Sequence, residues 1–136
     1  METKYATILD RVKAATIDAI VLIAMMYVAS EIFSLFETIP NYIRIIVSVF
    51  VFILYEPILV SIYGGTIGHS FSKILVKQED NSNKNLLFHI AIIRFFFKVL
   101  LGWVSLLTVT GNEKKKAIHD FIVKSIVLVE VATSTE

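Results

Sequence analysis

The sequence predicts an all-α membrane protein: two transmembrane helices, a third amphipathic segment that re-enters or spans, and a small cytosolic two-stranded β element. Three observations predict it. Of 136 residues, 56% are hydrophobic, above the ~45–50% of soluble domains, and mean hydropathy is +0.74. Two apolar runs, about 11–33 and 42–63, each reach the ~20 residues that a helix needs to cross a bilayer. A third run, about 86–108, carries its charges on one face.

This length fits a single domain over 1–136. The formal net charge is +1, so no strong basic field points to nucleic acid. With no cysteine, disulfides, thiolate metal sites and a cysteine nucleophile are excluded. The lead-in M-E-T-K-Y-A-T-I-L-D is too acidic for a signal peptide, and no small-residue cleavage site follows the apolar run. The first segment is therefore expected to stay as an anchor.

Thr7 or Asp10 is expected to cap the first helix. Inside that helix sits one carboxylate, Asp18. A charge at membrane depth costs at least ~2.5–3.5 kcal/mol, so a partner, a bound proton or cation, or a function must offset it. Arg11 and Asp18 are about two turns apart on one face, ~10 Å along the axis. Pro40 closes the turn after this helix.

The second run, Tyr42 to Tyr63, carries Glu56 followed by Pro57. Tyr42, Tyr55 and Tyr63 are expected as interface anchors. Gly64-Gly65-Thr66-Ile67-Gly68-His69 reads as a tight turn. It is not a phosphate-binding loop, because no Gly-Lys-Ser/Thr follows. Lys73 to Lys77 and Ser125 to Val129 are β-branched and are expected to pair as strands.

In the third run Arg94 and Lys98 share a face, with Phe95, Phe96, Leu100 and Trp103 opposite. Lys4, Arg11 and Lys13 cluster at the start of the first run, Lys73, Lys77 and Lys84 follow the second, and Lys114, Lys115 and Lys116 follow the third. The positive-inside rule places these clusters on one side only if the third run enters and returns, or lies flat. Two full spans with a shallow third segment, a cytoplasmic N-terminus and a cytosolic C-terminal segment over 111–136 are therefore expected. The last residues, Ala132 to Glu136, are expected to fray.

Counted from the same side, Asp18 and Glu56 reach a similar depth. Two acids at one depth in low dielectric do not both stay charged without compensation. One reading is a Na⁺ or H⁺ site, with oxygens from Asp18, Glu56 and a carbonyl freed near Pro57. The other is a buried ion-pair network with Arg94 and Lys98. His119-Asp120 reads as a cap or hydrogen-bond hub. No nucleophile–base set and no metal cluster appears, so no enzyme is expected, and no cofactor beyond Na⁺ or H⁺. The partners expected are the bilayer and either further copies or a membrane protein, since two spans enclose no pathway.

Three stretches carry a family resemblance. They are Arg11 and Asp18 in R-x-x-A-x-x-x-D, the G-G-T-I-G-H turn, and A-I-H-D at Ala117 to Asp120. Their order and spacing, from about Leu9 to Val129, resemble the RDD family of small bacterial membrane proteins. The resemblance implies that Arg11, Asp18 and Asp120 are the family's signature charges. Its glycine turn usually ends in Lys, where this chain has His69. It also implies a multi-pass protein of the bacterial inner membrane and links to transport, with Na⁺/H⁺ exchange in some members. In that role Asp18 is the carrier, Glu56 a co-ligand, Arg11 a gate or counter-charge, and Asp120 the residue that orients the cytosolic cap. The alternative is a non-transporting anchor, assembly factor or accessory subunit in which these charges are structural.

Overall fold

The computed structural model describes residues 4–130. The expected frayed tail, Ala132 to Glu136, lies outside the described residues. Helix α1 (Ile8–Ser34) starts at a capping box: the Asp10 N–H donates to Thr7 Oγ1, and the Thr7 N–H donates to Asp10 at 2.9 Å. The helix therefore starts at Ile8, ahead of the expected start near Arg11. Helix α2 (Asn41–Tyr63) begins after Pro40 and runs through Pro57 without a break. It ends at Gly64, whose φ of 81° is the left-handed conformation that glycine adopts freely.

Next come the short helix α3 (Ile67–Phe71), strand β1 (Ile74–Gln78) and helix α4 (Phe88–Leu101). A 3-10 helix (Gly102–Gly111), helix α5 (Ile118–Val123) and strand β2 (Ser125–Val129) complete the order. The strands are antiparallel, with Ile74 opposite Val129 and Gln78 opposite Ser125. The first strand sits one residue later than the sequence pattern suggests. The lead-in extends this sheet: Ala6 donates to the Val127 carbonyl at 2.9 Å, and Val129 to the Lys4 carbonyl at 2.8 Å.

Three helical runs are long and apolar enough to cross a membrane: Ile8–Ser34, Asn41–Tyr63 and Phe88–Gly111. On α1 and α2, side chains such as Ile20, Ile23, Phe50 and Ile53 are exposed. Helices suit such surroundings because they satisfy their own backbone polar groups.

The third run is not one straight rod. Its α-helical part stops at Leu101, and Gly102 has φ 53° and ψ −131°. Both ends of the run are tied to one end of β1. Before it, Asn85 binds Lys77 Nζ and Gln78 Nε2. After it, Lys114 and Lys116 bind the two oxygens of Glu79. A straight helix of 24 residues would separate those ends by ~36 Å. Instead, the 14 residues of α4 lead ~21 Å away from the sheet. The 10 residues of the 3-10 helix lead back by ~20 Å. The chain thus runs out from the sheet and back to it, and the basic clusters around the segment gather at the sheet.

The buried core lies at that same end. Ala6, Ala14, Val60, Ile74, Val76 and Val127 pack between the sheet and the sheet-side ends of α1 and α2.

Candidate functional site

Two polar assemblies sit where the long helices meet the sheet. The first is a chain of charges. Asp120 lies in the first turn of α5, where its Oδ2 accepts the Ala117 N–H at 3.1 Å. The same oxygen meets Arg11 Nη2 at 2.7 Å. Its Oδ1 meets Arg94 Nε at 3.1 Å and accepts the Ser125 hydroxyl at 3.0 Å. Arg94 then reaches across to α2, where Nη1 lies 2.9 Å from Glu56 Oε1. Lys98, one helical turn along α4, places Nζ 2.7 Å from Glu56 Oε2.

The order is therefore Arg11, Asp120, Arg94, Glu56, Lys98, joining α1, α5, α4 and α2. Three cations against two carboxylates leave one net positive charge. Burial alone would raise the Asp120 carboxyl. Arg94 and Arg11 outweigh that and hold it below its ordinary value.

His119 stands beside this chain but is not part of it. Its Nε2 is 3.7 Å from Asp120 Oδ1, too far for a hydrogen bond. Its backbone N–H donates to Ser105 Oγ at 3.1 Å, and the Ser105 hydroxyl also pairs with Nδ1. Burial, reinforced by Arg94, pushes His119 from 6.5 down to about 3, so it is neutral.

The second assembly surrounds Asp18. Its Oδ1 accepts the Tyr55 hydroxyl at 2.8 Å and the Gly68 N–H at 2.8 Å. Its Oδ2 accepts the Thr66 hydroxyl at 2.5 Å. Among the described residues, no Lys, Arg or His nitrogen forms an ion pair with it. Glycine at position 68 makes this possible. A Cβ there would lie 2.1 Å from the Ala14 carbonyl oxygen and 2.7 Å from Asp18 Cγ. Only a bare backbone brings α3 so close to α1.

Thr66 caps α3, and His69 takes the place that Glu or Gln usually fills in a capping box: its Nδ1 accepts the Thr66 N–H at 3.0 Å. Burial, then Lys98, pushes His69 from 6.5 to about 3, so its nitrogen stays free to accept. His69 thus props Thr66, and Thr66 holds Asp18.

These positions revise several sequence expectations. Asp18 and Glu56 are at a similar level, since Tyr55, next to Glu56, reaches Asp18. They do not share partners, however: Asp18 is held by neutral donors and Glu56 by cations. Arg11 turns away from Asp18 because Asp120 and the Lys115 carbonyl, at 2.9 Å, take its Nη2. Tyr55 is no interface anchor but buried, with its hydroxyl on Asp18. The glycine-rich stretch is more than a turn, because it supplies two of the donors to Asp18.

Sequence reasoning missed Tyr55, Thr66, Gly68, Ser105 and Ser125 as members of these assemblies. The T-x-x-H spacing before a short helix was a cap signal for Thr66. The hydroxyls of Ser105 and Ser125 gave none.

The family model described as "RDD family" matches residues 5–124. No curated protein and no solved structure matches the chain. The match covers most of the chain and includes Arg11, Asp18 and Asp120, so this membrane protein belongs to the RDD family.

Proposed function

We propose that this chain is a non-transporting membrane module, an anchor or accessory subunit, whose intramembrane charges lock its helices to the sheet. One observation carries this reading. Each of the four oxygens of Glu56 and Asp120 has a cationic nitrogen within 3.1 Å. A Na⁺ ion at Glu56 would have to displace Arg94 or Lys98. Removing one member of such a buried set strands an uncompensated charge, which suits a lock better than a site that loads and empties. No catalytic step is assigned to the chain.

The basic clusters gathered at the sheet support a cytoplasmic N-terminus in a bacterial inner membrane. Bare apolar faces on α1 and α2 suit lipid, further copies or a membrane partner.

A second reading, Na⁺ or H⁺ transport, rests on Asp18. Among the described residues it has no ion-pair partner, and with Tyr55 and Glu56 it borders a cavity of about 140 Å³. The experiment that separates the two is Na⁺- and pH-driven flux in proteoliposomes. The module reading expects no flux above protein-free vesicles. Flux lost in Asp18→Asn would replace it with the transport reading.

A further inference from the structure

A cavity of about 190 Å³ opens where α1, α4, the 3-10 helix and β2 converge. Arg11, Arg94, Lys98, His69 and His119 border it. None of the residues that line it is a carboxylate. On two of these bordering residues a side-chain nitrogen, Arg11 Nε and His119 Nε2, is buried without a hydrogen-bond partner among the described residues. Arg11 is only 8% exposed and His119 2%. Arg11 Nε is a donor in any state, and His119 Nε2 is a donor in the tautomer whose Nδ1 accepts from Ser105. An unsatisfied buried donor costs ~1–3 kcal/mol, so two in one cavity mark a place built for an acceptor.

The acceptor should carry negative charge, because the surrounding network has one positive charge in excess. At ~30 Å³ per water-sized group, the space admits a tetrahedral oxyanion. The remaining wall is apolar, with Val12, Trp103 and Leu106, and Trp103 is 72% exposed. A polar pocket with a greasy margin at the membrane end of the sheet fits a charged head joined to an acyl chain.

We propose that this cavity binds the phosphate group of a species with net negative charge, through Arg11 Nε, His119 Nε2 and the Lys98 ammonium. The source is either an anionic lipid headgroup or a free phosphate. The site goes beyond the module reading and holds whether or not the chain moves ions.

The chain carries its own reporter, since Trp103 is its single tryptophan and lines the cavity. The full chain in a neutral detergent is titrated with phosphatidylglycerol, phosphatidylcholine or inorganic phosphate while Trp103 emission is followed. The expected result is a saturable change with phosphatidylglycerol and none with phosphatidylcholine. Competition by inorganic phosphate identifies a free-anion site, and its failure to compete identifies a headgroup site; both support the proposal. Lys98→Gln should bind about tenfold more weakly, the loss of one charged hydrogen bond. Leu106→Trp would confuse the reporter, so Ala15→Phe, which fills the cavity from α1, serves as the second variant and should abolish the response. Circular dichroism confirms that each variant is folded, and Lys114→Gln, outside the cavity, should titrate like the wild type. Equal responses to both lipids would overturn the proposal. So would an unchanged titration in folded Lys98→Gln and Ala15→Phe.

Discussion

Gly68 donates its backbone N–H to Asp18 Oδ1 at 2.8 Å, and it does so from a position where no side chain fits. The carboxylate inside α1 and the glycine of the short helix form one joint. It explains how an acid is tolerated among lipid-facing residues: it meets three donors rather than a hydrocarbon.

Gly68→Ala should therefore be costly. Its Cβ would meet the Ala14 carbonyl oxygen, a backbone atom, at 2.1 Å. Overpacking of this kind costs about 3 kcal/mol or more when backbone must move. The check is chemical unfolding in micelles, with Gly65→Ala in parallel. At Gly65 the nearest contact is the His69 side chain at 2.8 Å, which has some freedom to shift, so the smaller loss is expected there.

Asp120→Asn should destabilise by about 3–5 kcal/mol, the range for breaking one side of a buried ion pair. It leaves Arg11 and Arg94 facing a neutral amide. Lys114→Gln, by contrast, removes an exposed partner of Glu79 and should leave the unfolding midpoint unchanged. Similar midpoints for the two variants would mean that the charge chain holds nothing together.

Acid should destabilise the fold, and the direction follows from the imidazoles. His69 and His119 fall from 6.5 to about 3 in the folded chain. Between those values the unfolded chain binds protons that the folded chain does not. Stability is thus full above about pH 6.5 and lost as pH drops toward 3. Asp120, also held below its ordinary 3.8, adds a loss of the same sign at lower pH. Unfolding midpoints at pH 7.5, 5.5 and 4.5 read this, and His119→Gln should flatten the profile. A fold that strengthens on acidification would mean that these rings are protonated inside it.

The out-and-back path of the third segment leads to a labelling pattern. The chain has no native cysteine, so single cysteines at the exposed positions Glu37, Asn83 and Glu113 report topology cleanly. Asn83 and Glu113 should react with an impermeant reagent from one side, and Glu37 only from the other. A continuous span over Phe88–Gly111 would instead place Asn83 and Glu113 on opposite sides.

Much of the architecture was legible because hydropathy and charge are local signals. The two long helices follow from runs of apolar residues, and the strand pair from β-branched stretches at Ile74 and Ser125. The lysines on either side of the third segment left two courses open, a return or a flat helix, since basic clusters prefer one face of a bilayer; the chain's out-and-back path agrees with the first. The segment's break was less legible: Gly102 lies in an unbroken apolar run, and only its backbone angles show the turn. The partners of Asp18 were not legible at all. Tyr55, Thr66 and Gly68 come from two other helices and are neutral, so no charge pattern announces them. Arg11 could be read as pointing along α1 toward Asp18, because helical periodicity places the two on one face. Periodicity says nothing of Asp120, which arrives from the far end of the chain and takes the guanidinium instead.

The most direct measurement takes Glu56→Gln and wild-type protein in the same liposomes, recording unfolding and Na⁺-driven flux together. If the intramembrane charges are a lock, the variant unfolds more easily, and neither protein carries flux above protein-free vesicles. Unchanged stability, together with a wild-type flux that the variant loses, would contradict the lock and make Glu56 part of an ion path.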